Sequence, residues 1–86
     1  MPRISSFYGI MIYMYYMDHN PPHFHAIYGE YEAIFDIMNL NLLKGSLPPK
    51  AISLVTEWAM IHKYELEENW NRILSNESLK QIEPLS

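Results

Sequence analysis

His23-Phe24-His25-Ala26-Ile27-Tyr28-Gly29-Glu30-Tyr31-Glu32-Ala33-Ile34-Phe35-Asp36-Ile37 is the stretch on which the fold turns. Two runs rich in β-branched and aromatic residues flank Gly29-Glu30. A two-residue loop that opens with glycine fits a type II′ β-hairpin. That register sets Tyr28 opposite Tyr31, Ala26 opposite Ala33 and Phe24 opposite Phe35. Side chains in a strand alternate with period two, so these six share one apolar face, which should be core. The other face pairs Ile27 with Glu32, His25 with Ile34, and His23 with Asp36. A slip of one residue would exchange the two faces.

Upstream, Phe7 to about Tyr16 is β-branched and aromatic throughout and reads as a first strand, apolar on both faces. Gly9 within it suggests a bulge or a close backbone approach. Asp18-His19-Asn20-Pro21-Pro22 is turn chemistry: Asp and Asn bond their own backbone and proline stops strands. A short strand at about Leu40 to Lys44 is expected before Gly45-Ser46.

Downstream the period changes from two to 3.6. Ser46 is read as a helix cap, with Pro48 and Pro49 tolerated in the first turn. Ala51, Leu54, Val55, Trp58, His62, Leu66, Asn69, Trp70, Ile73 and Leu74 then mark one helical face. No Gly or Pro interrupts residues 50 to 75. A straight helix of that length runs to about 40 Å, whereas a domain of this size should have a radius of gyration of about 12 Å. The helix therefore either breaks near His62-Lys63-Tyr64 or projects one end onto a partner. Ile82 and Leu85 should anchor an ordered tail.

These elements give an α+β fold: a small, mainly antiparallel sheet of three or four strands followed by a long C-terminal helix packed on one face. The chain forms one domain, 1–86, with a sheet half (1–45), a helical half (46–76) and a C-terminal arm (77–86). Eighty-six residues, 49% hydrophobic and 19% charged, suit one globular core. So small a chain hides only about 60–65% of its unfolded surface, which fits either a marginal monomer or one that relies on self-association. There is no cysteine, which excludes disulfides, thiolate catalysis and Cys-based zinc fingers. The net charge of −4, shared evenly between the two halves, makes nucleic acid an unfavourable partner. No apolar run is long enough to span a bilayer. The N-terminus lacks the hydrophobic region of a signal peptide, so the expected location is cytoplasmic.

Three of the four histidines, His19, His23 and His25, fall within seven residues, beside Asp18. Imidazole with carboxylate suits zinc, nickel, copper or iron. Asp18, His19, His23 and His25 are therefore the candidate metal ligands. No other cofactor is expected. His23, His25 and Asp36 are the candidate catalytic groups, with Asp36 orienting His23. The plainer reading is that Asp18 and His19 cap a turn while the other two rings sit on a half-exposed sheet face. Six of the seven tyrosines lie between Tyr8 and Tyr31; with only Arg3 and Lys44 nearby, core and interface packing fits them better than base stacking. Glu65 lies within reach of His62 at i,i+3.

Taken together, Phe-Tyr-Gly-Ile at 7–10, Asp-His-Asn-Pro-Pro-His-Phe-His-Ala at 18–26, Tyr-Gly-Glu-Tyr at 28–31, Gly-Ser-Leu-Pro-Pro at 45–49, Glu-Trp-Ala at 57–59, Glu-Leu at 65–66, Asn-Trp at 69–70 and Ile-Glu-Pro-Leu at 82–85 resemble an uncharacterised bacterial family, domain of unknown function 4160. The resemblance spans essentially the whole chain. It departs from the family pattern at Met38-Asn39-Leu40-Asn41, where a Gly-containing turn is usual. The family run maps onto Asp18, His19, Pro21, Pro22, His23, Phe24 and His25, and carries no known catalytic role. Its members are short prokaryotic proteins, often encoded beside another small domain and sometimes labelled toxin–antitoxin-like. The resemblance thus implies a protein partner more than a substrate. The expected function is a non-enzymatic interaction module, a homodimer or a component of a toxin–antitoxin-like complex. The alternative is a hydrolase or nuclease, metal-dependent or metal-free, built on His19, His23 and His25.

Overall fold

In the computed structural model, which describes residues 2–86, the hairpin takes the expected register. Strand β3 (His23–Tyr28) pairs antiparallel with β4 (Tyr31–Asp36), Phe24 opposite Phe35 and Tyr28 opposite Tyr31. Gly29 holds the positive φ, +58°, that the first position of a type II′ turn demands. Phe24, Ala26, Ala33 and Phe35 are buried on the inward face, the two phenylalanine rings stacked with centroids 5.4 Å apart.

The sheet has five antiparallel strands in sequence order: β1 (Arg3–Phe7), β2 (Ile10–Tyr13), β3, β4 and β5 (Leu42–Gly45). The single strand expected over Phe7–Tyr16 is instead part of a second hairpin. Tyr8 and Gly9 both take positive φ, +50° and +81°, so they form a tight turn of the I′ kind and not a bulge. The strand before this turn was hidden by its serines. A register shift between Arg3 and Ser5 buries both Ile4 and Ser5. β5 begins two residues later than expected, because Leu40, at φ +61°, completes the turn that follows β4.

The helical half is two helices. α1 (Pro49–Ile61) and α2 (Lys63–Leu74) meet at His62, whose φ of −110° and ψ of +27° break the helical path. The longest dimension of the molecule is 34 Å and its radius of gyration 11.6 Å, so an unbroken 40 Å rod would have left one end without a core to bury. Ser46 is no cap: α1 starts from Pro48 with no capping side chain. Trp58, fully buried, lies 5.3 Å from the Phe7 ring and 5.8 Å from Phe24, locking α1 to the sheet. The one hydrophobic core runs from Ile4 through Phe24, Phe35 and Trp58 to Leu66 and Ile82.

The tail is ordered by polar clasps. Asn69, fully buried, donates to the Lys80 carbonyl at 2.9 Å and accepts from the Lys80 N–H at 3.0 Å. Trp58 Nε1 donates to the Glu83 carbonyl, and the Ile82 N–H donates to the Ile4 carbonyl. The last contact covers the edge of β1, which would otherwise offer unpaired backbone groups.

Gly45 pairs with Ala33 at φ +80°, and a Cβ there would collide with the Glu32 carbonyl oxygen. Gly45→Ala should cost at least about 2 kcal/mol, lowering the melting temperature by about 8 °C or more in a circular-dichroism melt. Asn69→Ala strips three hydrogen bonds from the buried clasp and should cost about 2–3 kcal/mol. Amide exchange at Lys80 and Ile82 should rise by more than it does elsewhere in the sheet.

Candidate functional site

Asp18, His23 and His25 converge. His23 and His25, two apart on β3, point to the face opposite Phe24, as the strand period requires. Asp18 reaches them from a tight turn after β2: its N–H donates to the Tyr15 carbonyl, and its Oδ2 accepts from the Tyr15 N–H at 3.2 Å. That same Oδ2 lies 3.4 Å from His23 Nε2 and 3.3 Å from His25 Nε2. One ligand atom from each of the three residues falls within 4.8 Å of the others. The histidine side chains are each 11% exposed and that of Asp18 14%.

The remaining ring nitrogens separate the two histidines. Nδ1 of His23 donates to the Pro21 carbonyl at 2.7 Å, which fixes the ring and leaves Nε2 facing the carboxylate. Nδ1 of His25 lies 3.4 Å from Glu32 Oε2, but the two are misaligned and the buried nitrogen makes no hydrogen bond. Aromatic rings enclose the cluster. Tyr15 meets His25 edge-on at 4.7 Å and stacks on Tyr13, while Trp70 of α2 tilts against His23 at 5.4 Å. Burial, and then the charges of Glu32 and Asp18 with Tyr13 between them in weight, raise the pKa of the Tyr15 phenol.

A matched family model now fixes where this chain belongs: the model is described as a domain of unknown function, DUF4160, and it covers residues 9–71. The chain belongs to the DUF4160 family. No curated protein and no solved structure matches it. The matched span of this DUF4160 protein contains the whole Asp18–His23–His25 cluster and Trp70, and stops short of the tail that covers β1.

Two other candidates stand apart from the cluster. His19 is exposed and makes no contact with the other rings. Asp36 is opposite His23 in register, but its Oδ1 accepts from the N–H groups of Met38 (2.7 Å) and Asn39 (3.2 Å). It braces the turn after β4, and the Pro21 carbonyl takes the orienting role expected of it. The fourth histidine, His62, pairs with Glu65 across the helix break, as their spacing suggested. The enclosing rings of Tyr15 and Trp70 had no local signal. Tyr15 reads as strand and Trp70 as helix core, and only the tertiary fold brings them to the histidines.

Asp36→Ala should loosen the 37–41 turn and cost about 1–2 kcal/mol, while leaving the NMR signals of the His23 and His25 rings in place. A change at His23 with unchanged stability would return Asp36 to the site.

Proposed function

We propose that this protein acts as a non-enzymatic interaction module that pairs with a second copy of itself through the outward face of its sheet. One observation carries this reading. The outward face of an antiparallel sheet is ordinarily polar, but here the register brings together Met11, Tyr13, Ile27 and Ile34, none of them fully buried. Apolar surface gathered in one patch marks contact sites.

Charge favours a second copy as the occupant. Arg3 on β1 and Lys44 on β5 flank the patch, and Glu32 on β4 lies between them. A face that bears both signs can match its own two-fold image, as an isologous interface requires. Self-pairing also adds burial to a chain too short to hide much of its own surface. The hydrolase reading has less support, because Asp18, His23 and His25 are mostly enclosed. Two shallow surface depressions have other linings, one by Tyr8, Tyr28, Lys50 and Leu54 and another by Glu32, Ile34, Lys44 and Gly45. No helix among the described residues is long and apolar enough to cross a membrane.

Sedimentation velocity across a protein dilution series tests the pairing. A reversible dimer is expected, weakened at least about 10-fold by Ile34→Lys, with a thermal melt close to that of the parent because Ile34 is only half-buried. A monomer at every concentration, or a dimer indifferent to both Ile34→Lys and Ile27→Lys, would overturn it.

A further inference from the structure

We propose that Asp18, His23 and His25 form a binding site for a single zinc-class divalent cation, held by Asp18 Oδ2 and the Nε2 atoms of both histidines. The site is independent of the dimer and stands on geometry.

Distances are the first support. A charge-assisted hydrogen bond between imidazolium and carboxylate closes to about 2.7–2.9 Å. Here His23 Nε2 stands 3.4 Å from Asp18 Oδ2, and His25 Nε2 makes only long hydrogen bonds to the two carboxylate oxygens, at 3.4 and 3.3 Å. Tetrahedral zinc with bonds of about 2.0–2.1 Å separates its ligand atoms by about 3.3–3.4 Å. The two spacings to Asp18 Oδ2 match edges of a zinc tetrahedron; the three ligand atoms lie within 4.8 Å of one another and would draw together to complete it on binding.

Ring orientation is the second. The His23 Nδ1–H is committed to the Pro21 carbonyl, so Nε2 is the ring nitrogen left to face the Asp18 carboxylate. A cation at the centre of the three ligand atoms would take a bond from this Nε2 and another from the carboxylate oxygen. A backbone carbonyl on the far nitrogen is the usual outer support of a metal-bound histidine, fixing the tautomer and raising ligand basicity.

Surroundings are the third. Tyr15 packs on His25 and Trp70 on His23, so the ligands are held by packing and lose little freedom on binding. Two imidazoles and one carboxylate form a donor set for zinc and its first-row neighbours and not for calcium or magnesium, which take oxygen. Three protein ligands leave the fourth tetrahedral position to water.

The ion would join the loop after β2 to the first turn of β3, since Asp18 lies on one side of Pro21-Pro22 and both histidines on the other. Zinc at about a hundredfold over its dissociation constant should then raise the melting temperature by about 10 °C or more.

Native mass spectrometry of the full chain, stripped with a chelator and then mixed with zinc chloride, tests the site. One zinc per chain is expected, with no corresponding retention of magnesium. Asp18→Asn keeps size and one acceptor oxygen but removes the charge, and should weaken binding at least about 10-fold; His25→Ala should abolish it. His62→Ala, at one of the two histidines outside the cluster, should bind as the parent does. Circular dichroism of each apo variant separates loss of metal from loss of fold, and cobalt(II) absorption at tetrahedral intensity reads the geometry without relying on stability. No zinc retained by the folded parent, or equal retention by folded Asp18→Asn and His25→Ala, would overturn the proposal.

Discussion

The pairing of β3 with β4 through Gly29-Glu30 is the constraint on which the rest of the molecule depends. Because strand side chains alternate, one turn decides two faces at once. Phe24, Ala26, Ala33 and Phe35 go inward, where Trp58 closes over them. His23 and His25 go outward to meet Asp18. A slip of one residue would drive both imidazoles into the core without partners and turn two phenylalanines to water. The core and the candidate site therefore stand or fall together.

The two edges of the sheet are treated differently. β1 is covered by the tail, which Asn69 and Trp58 hold in place through backbone carbonyls. β5 is exposed along its whole length, and Gly45 ends it where no side chain fits beside Glu32. α1 lies against the inward face through Trp58, and α2 brings Trp70 against His23. The outward face is left with Met11, Ile27 and Ile34 beside the enclosed histidines, which is why a protein partner and a bound ion are both asked of the same side of the sheet.

Much of this is legible in the chain itself. The β3–β4 register follows from alternation and one glycine, whereas the length of the apolar stripe left open a break near His62 or a projecting end, and the structure has the break. The misreadings have physical causes. Tyr8-Gly9 lies between apolar residues on both sides, so a tight turn looked like strand interior. Ser5 and Ser6 disguised β1, because a bulge lets a serine be buried there. Asp36 was placed correctly in register, but register says nothing of which way a short carboxylate turns, and the open N–H groups of Met38 and Asn39 claimed it. The meeting of Asp18 with His23 and His25 could be suspected from proximity in the chain. The wall of Tyr15 and Trp70 could not, since it joins a loop to a helix more than fifty residues away.

A crystal structure of the protein grown with zinc, phased or mapped at the zinc absorption edge, tests the central claim most directly, since it reads hairpin register and cluster geometry in one map. The account predicts one anomalous peak per chain, about 2.0–2.1 Å from Asp18 Oδ2 and from Nε2 of His23 and His25, with Phe24 opposite Phe35. A peak at other residues, or a β3–β4 pairing displaced by one residue, would contradict it.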